Sequence, residues 1–286
     1  MKQLREIYTA IEYIEENLRE PFNVGDVAQA SGFSLFHFSR IFNALIGHSP
    51  YDYIMRRRLS EAFKELAGTE RTITAVAFDY QFNNVETFSR AFKKMFGVLP
   101  HKIRNLKESD SFILKTPADY CYIEHINQCG FFSPRIVKLD SISMVGRMTQ
   151  GNQRNPFMEE TAWNSLRNDI LSNIPGGNSD QFYAIVFQPA FWRNSTHSRL
   201  FGIDVQDLNI PPVSLMKKTI PAQTFVEFKH QGPLTSLGMT YDYICQTWLP
   251  KSGCGPDVVF SLEKCSNIDC YMNISVSILI PVQSSA

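Results

Sequence analysis

Phe38-Ser39-Arg40-Ile41-Phe42, with Gly47 and Pro50 behind it, returns 50 residues later as Phe88-Ser89-Arg90-Ala91-Phe92, with Gly97 and Pro100 behind it. Upstream, Val27-Ala28 and Phe33 return as Val76-Ala77 and Phe82 at an offset of 49, so the second copy has gained one residue in its turn. Self-similarity at a fixed period marks one supersecondary unit used twice. Each copy reads as helix, tight turn, helix, and that unit places its second helix in the major groove of DNA.

The flanking sequence fits the same reading. Leu4, Ile7, Ile11, Ile14 and Leu18 recur at three and four residues, one apolar helix stripe that Pro21 ends. Asn23 caps a short helix carrying Val27 and Ala28, and Gly32 falls where the turn needs a positive φ. Ser34 caps the second helix. Ser49-Pro50 opens a long connecting helix that stops near Gly68. The second unit begins at Thr72, and Asn83 or Asn84 caps its second helix, Val85 to about Phe96.

Net charge is zero over 286 residues, but it is unevenly placed. Residues 31–107 carry +6, while 1–30 and 108–286 each carry −3. Positive charge therefore lies on the repeat, where a phosphate-contacting surface needs it. No run of about 18 apolar residues exists, so no membrane span is expected. The six cysteines all fall beyond residue 120, without CxxC spacing. Reduced thiols, a cytoplasmic location, and neither metal nor cofactor are the expectation.

Residues 4–104 resemble the two-motif DNA-binding domain of the AraC/XylS transcription regulators. The resemblance is carried by Ile73-Thr74-Ala75-Val76-Ala77, Phe82, Phe88-Ser89-Arg90-Ala91-Phe92-Lys93-Lys94, Gly97, Pro100 and Arg104. Ser31-Gly32-Phe33-Ser34 and Gly47-His48-Ser49 are similar to the first motif of the Rob-type group within that family. The resemblance implies a bacterial sequence-specific regulator, with activation the expected direction and RNA polymerase a candidate partner. Two positions depart from the family. Gln81 replaces the usual glycine of the second turn, which is therefore relaxed or strained, and Asn43 replaces a lysine.

Candidate DNA contacts on the first motif are Leu35, Phe36, His37, Ser39 and Arg40; on the second they are Asn84, Val85, Glu86, Thr87, Ser89, Arg90, Lys93 and Lys94. Arg40 and Arg90 are equivalent and suit guanine O6/N7 or a phosphate. Glu86 repels phosphate and accepts only from cytosine N4. The first motif is thus expected to supply most base readout and the second to grip the backbone. In Arg56-Arg57-Arg58, helical positions about 100° apart let one or two face DNA, the others pairing with Glu61, Glu65 or acids of the first helix.

Residues 108–133 read as a linker with some structure of its own. Beyond it, strands at 135–145, 182–187 and 200–205 surround a helix at 159–171. The order recurs with strands at 215–229, 257–263 and 271–281 and a helix carrying Leu237, Tyr241, Ile244 and Trp248. This is β-α-β-β written twice, an α+β domain. The expected architecture is two domains: an all-α unit at 1–107 with two helix-turn-helix motifs joined by a long helix, then the α+β unit at 134–286.

The second unit resembles the GyrI-like effector-binding domain through Gly232-Pro233, Tyr241-Asp242-Tyr243, Trp248-Leu249-Pro250, Gly255-Pro256, Leu262-Glu263 and Ile278-Leu279-Ile280-Pro281. The resemblance implies a cleft for small molecules and, in some members, a carboxylate in the last strand. Here that position is Ser277, so a neutral or amphipathic effector is expected rather than a cation. Candidate lining residues are Trp163, Tyr183, Phe191, Trp192, Tyr241, Trp248, Glu263, Ser275 and Ser277. Core packing is the competing assignment for the aromatics, and the stronger one for Trp248. Glu263 is a ligand acid or a salt-bridge partner. The function expected is a non-enzymatic regulator that binds double-stranded DNA as a monomer under effector control. Alternatives for the second half are a small-molecule hydrolase, for which His197 and His230 form no constellation with a nucleophile, or a ligand-free masking module.

Overall fold

The repeat is written into the backbone almost residue for residue. The computed structural model describes residues 2–105, 112–130, 134–151, 168, 170, 172, 181–187, 197–205, 215–252, 260–266 and 273–282. The chain divides into two units, Met1–Asn127 and Gln128–Ala286.

In the first unit, α1 (Lys2–Glu16) buries Ile7, Ile11 and Ile14. α2 (Val24–Ala30) opens with a reciprocal cap: Asn23 accepts from the Gly25 and Asp26 amides, and Asp26 accepts from the Asn23 amide. α3 (Leu35–Ile46) starts at Ser34, whose backbone is extended as a cap requires but whose side chain makes no cap bond. α4 (Pro50–Gly68) starts at Ser49, which accepts from the Asp52 amide at 3.2 Å. α5 (Ile73–Asp79) is capped by Thr72, and α6 (Val85–Phe96) by Asn84, which accepts from the Thr87 amide at 2.7 Å. α3 and α6 both end on a left-handed glycine, Gly47 and Gly97, each with φ of 76°. A 3₁₀ turn follows at Pro100–Asn105.

α4 is the shared spine. Tyr53 meets Phe42 of the first motif at 5.5 Å, and Phe63 stacks on Phe92 of the second at 5.9 Å. The described part of the expected linker is not free chain. Phe112 packs against Phe63 and Phe96. The Lys115 amide donates to Ser60 Oγ at 2.9 Å, and the Ala118 amide to the Tyr53 hydroxyl at 3.1 Å. α7 (Tyr120–Cys129) follows, and Asn127 reaches back to the Leu45 carbonyl at 3.1 Å. A buried backbone needs hydrogen-bond partners, and α4 supplies them through Ser60 and Tyr53.

The second unit is an eight-stranded antiparallel sheet in the order β1-β6-β8-β7-β3-β4-β2-β5. The strands are β1 (Arg135–Leu139), β2 (Ile142–Gly151), β3 (Gln181–Phe187), β4 (His197–Asp204), β5 (Met216–Ile220), β6 (Gln223–Gly232), β7 (Phe260–Ser266) and β8 (Ile274–Pro281). The order maps onto itself when β1–β4 are exchanged with β5–β8, so the duplication seen in sequence is a two-fold in topology. Each strand region expected to be continuous, 135–145 and 215–229, is broken into two strands that join different halves. β1 pairs with β6, while β2 pairs with β4 and β5. Gly146 and Gly202 face each other in β2 and β4, where an added Cβ would meet neighbouring backbone at 2.0 and 2.2 Å. Only glycine admits this approach. α8 (Leu237–Tyr243) runs on into a π-helical turn at Ile244–Trp248 and covers one sheet face. Of the helix expected at 159–171, Asn168 and Ile170 are described, both helical.

Candidate nucleic-acid interface and ligand face

The two second helices present the same positions to solvent. Arg40 and Arg90 are both exposed, as are Phe36 and Glu86 one turn before them. Apolar side chains normally avoid this: Phe36 is 80% exposed and Leu35 53%. The core side of the same helix holds Phe38, Ile41 and Phe42. His37 leans on Phe33 at 5.3 Å, and the Ser39 hydroxyl donates to its own helix at the Leu35 carbonyl, 2.9 Å away.

α6 differs in charge. Glu86 pairs with Arg90 at 2.8 Å, with both side chains about four-fifths exposed at 82% and 78%. Position 36 carries a phenylalanine, and among the described residues Arg40 makes no ion pair. Asn84 is occupied as the cap of α6, and Val85 packs partly into the core. Thr87, Lys93 and Lys94 are exposed, and Ser89 is half-buried. Replacing Glu86 by Gln removes one carboxylate from this face and releases Arg90. Non-specific affinity is then expected to rise, and the slope of log K against log salt to steepen by about one charge equivalent, read in a salt titration.

The basic run of α4 is largely structural. Arg57 is 2% exposed and Arg58 7%. Arg57 binds Glu15 through two nitrogens (2.8 and 2.7 Å), Glu61 at 2.9 Å and the Lys115 carbonyl at 2.5 Å. Burial disfavours its charge, but Glu15 outweighs that and raises its pKa. Arg58 donates to the Leu18 and Glu20 carbonyls at 2.9 and 3.0 Å and lies over the Phe22 ring. Arg56 pairs with Asp52 at 3.0 Å. Burial alone would raise the Asp52 carboxyl, yet the His48 hydrogen bond and the Arg56 charge hold it well below the usual range.

In the second unit the register sorts the expected lining residues onto opposite faces. Tyr183, Lys264, Ser277 and Lys229 are successive cross-strand neighbours and share a face. Ser275 lies two residues along β8 on that face. Glu263 is in register with Ala184 and Ile278 on the other. That second face is covered by α8. Tyr241 donates to Glu263 at 2.7 Å and bonds Ser261 at 2.9 Å, and Arg199 pairs with Glu263 at 2.9 Å. Burial, then the Glu263 charge, pushes the Tyr241 phenol well above its usual pKa. Trp248 packs on Phe228 at 5.0 Å. Tyr241, Trp248 and Glu263 thus lie on the α8 side of the sheet, apart from Tyr183, Ser275 and Ser277, and Glu263 is ion-paired there with Arg199. Trp163, Phe191 and Trp192 lie outside the described residues.

The opposite face holds a buried apolar cluster of Met144, Tyr183, Ile185, Leu200, Leu262 and Leu279 among others. Beside it stands a group the sequence reading missed. Ser277 donates to Glu227 of β6 at 2.7 Å. Glu227 is in register with Leu279, two residues from Ser277, which only strand pairing reveals. Burial and then Asp204 raise the Tyr183 phenol. His230 is buried on the α8 side, bonded to Thr240 at 2.9 Å. Among the described residues no helix is long and apolar enough to cross a membrane.

Two family models match the chain: a helix-turn-helix domain over residues 18–106 and the integron-associated effector binding protein over 135–282, just over half the chain. The right origin-binding protein of Escherichia coli K12 is 30% identical over 171 residues, 57% of this chain and 55% of its own length. The chain thus spans about half of that relative. The multiple antibiotic resistance protein MarA of the same strain is 34% identical over 109 residues, 37% of this chain and 86% of MarA. The transcriptional activator AarP of Providencia stuartii is 37% identical over 92 residues, 32% of this chain and 68% of AarP. With two equivalent helix-turn-helix motifs ahead of a duplicated, effector-binding-type sheet, the chain belongs to the AraC/XylS family of DNA-binding transcription regulators, in its Rob-type arrangement.

Proposed function

We propose that residues 1–107 read DNA as a monomer, placing α3 and α6 in successive major grooves, with α3 reading bases and α6 holding the backbone. The observation that carries this is the asymmetry at equivalent positions. Arg90 is tied to Glu86, whereas Arg40 stands beside an exposed phenylalanine able to meet a thymine methyl. Binding of the full chain to random and selected duplexes across a salt series tests it. Selection of an asymmetric site of about 20 base pairs by a monomer is expected. Equal affinity for every sequence, with only a steep salt slope, overturns it.

The sheet face opposite α8 is the proposed effector surface, with Tyr183, Ser275 and Ser277 retained from the sequence candidates. The polar row Lys229, Ser277 and Lys264 keeps solvent access beside the buried apolar cluster, and suits the polar head of an amphipathic molecule whose apolar body enters at the edge of that cluster. Ligand binding stabilises the folded state by RT ln(1 + [L]/Kd), so a thermal-shift screen reads it directly. Ser277→Glu adds a second carboxylate beside Glu227 and is expected to turn the preference of that screen toward cationic amphiphiles. An unchanged ranking of ligands sinks the placement.

A further inference from the structure

Gln81 is the one non-glycine among the described residues with a positive φ, 64°. Its equivalent in the first repeat is Gly32, with φ of 75°. Backbone sterics penalise a side chain there, and glycine would relieve the penalty at once. Something must oppose the relief, and the geometry shows what the side chain does. Gln81 Nε2 donates to the Arg19 carbonyl in the loop that leaves α1. Arg19 in turn bonds Glu65 of α4 at 2.7 Å and reaches the second motif at the Tyr80 hydroxyl, 3.1 Å away, its guanidinium 5.1 Å from the Tyr80 ring centre. Arg58 fixes the same loop from below through the Leu18 and Glu20 carbonyls. Beside these bonds lies a cleft of about 370 Å³, lined by Pro21, Phe22, Asn23, Asp26, Arg58 and Gln81. Tyr80 and Phe82 pack the second motif onto α4, and the polar ties add a direct link from its turn to the loop ahead of the first motif.

We propose that Gln81 is a spacing-determining residue for DNA recognition. Its strained turn and its bond to Arg19 fix the offset between α3 and α6, and so the number of base pairs allowed between the two half-sites. The proposal rests on the two-groove reading above. α6 begins at Val85, four residues after Gln81, so a small rotation at this turn is carried directly to the contacting helix.

The test uses the full chain, a duplex selected by the wild type, the same duplex with one base pair inserted between half-sites, and an isolated half-site. Gln81→Gly removes both the strain and the side-chain bond. Gln81→Asn keeps a residue tolerant of the left-handed region but one methylene too short to reach Arg19. Both variants are expected to melt no lower than the wild type and to bind the half-site unchanged. Both are expected to lose about three- to tenfold of the discrimination between the two spacings, the fold-change of one hydrogen bond. Discrimination unchanged within twofold in both variants overturns the proposal. So does a drop in half-site affinity or melting temperature equal to any loss on the full site, since Gln81 would then serve stability alone. A wild type indifferent to the insertion fails the two-groove reading itself, an outcome visible before any variant is made.

Discussion

Arg57→Ala is expected to destabilise the helical unit by about 3–5 kcal/mol, because it leaves Glu15 without its buried cation and Glu61 with Lys64 alone. The side chain is 3% exposed and joins α1, α4 and the Phe112–Ala118 strap through five hydrogen bonds. Arg57→Lys is expected to rescue little, since one ammonium cannot meet Glu15, Glu61 and the Lys115 carbonyl together. Urea unfolding of the full chain checks this, the transition that DNA shifts identifying the helical unit. The same cluster gives the unit an acid limit. Burial would raise the Glu61 carboxyl, but hydrogen bonds from Lys64 and Arg57 outweigh it and lower its pKa. A lowered folded-state pKa means the stabilisation is complete above the ordinary value of 4.5 and fades as pH falls below it. Asp52, lowered through His48 and Arg56, acts in the same direction. Unfolding at pH 7 and pH 3.5 should differ more in the wild type than in Glu61→Gln.

Arg40→Ala is expected to cost about 1–3 kcal/mol on a selected duplex and to flatten base preference at one position, the worth of a bidentate guanine contact. Arg90→Ala should cost less and leave base preference intact, because Glu86 already holds that guanidinium at 2.8 Å. Selection from a randomised duplex pool by each variant reads both effects. A larger loss of preference from Arg90→Ala reverses the assignment of roles between the two helices.

The helical unit was legible because its determinants are local. A cap such as Asn23, a glycine such as Gly47 and a stripe such as Ile7, Ile11 and Ile14 act within one or two turns of their own position. The repeat then supplied the equivalence of Arg40 and Arg90. The exception at Gln81 was visible too, but not the Arg19 carbonyl that holds it, 62 residues away in the chain.

What the sequence determined by itself was the pair of motifs, their spine and the duplicated β-α-β-β order. What only the tertiary structure decided was where side chains of equal character end up. The 100° step of α4 showed that Arg56, Arg57 and Arg58 diverge, but burial of Arg57 and Arg58 depends on α1 and its following loop arriving beside them. Strand alternation separated Ser277 from Ile278 without showing which face α8 would cover. Tyr241 and Glu263 were therefore expected beside Tyr183 and Ser277, though the sheet itself lies between them. Glu227 was invisible as a neighbour of Ser277, because the two meet only through the pairing of β6 with β8. Local propensities fix the elements. Register and layer packing are contacts between distant segments, and no short window of sequence contains both partners.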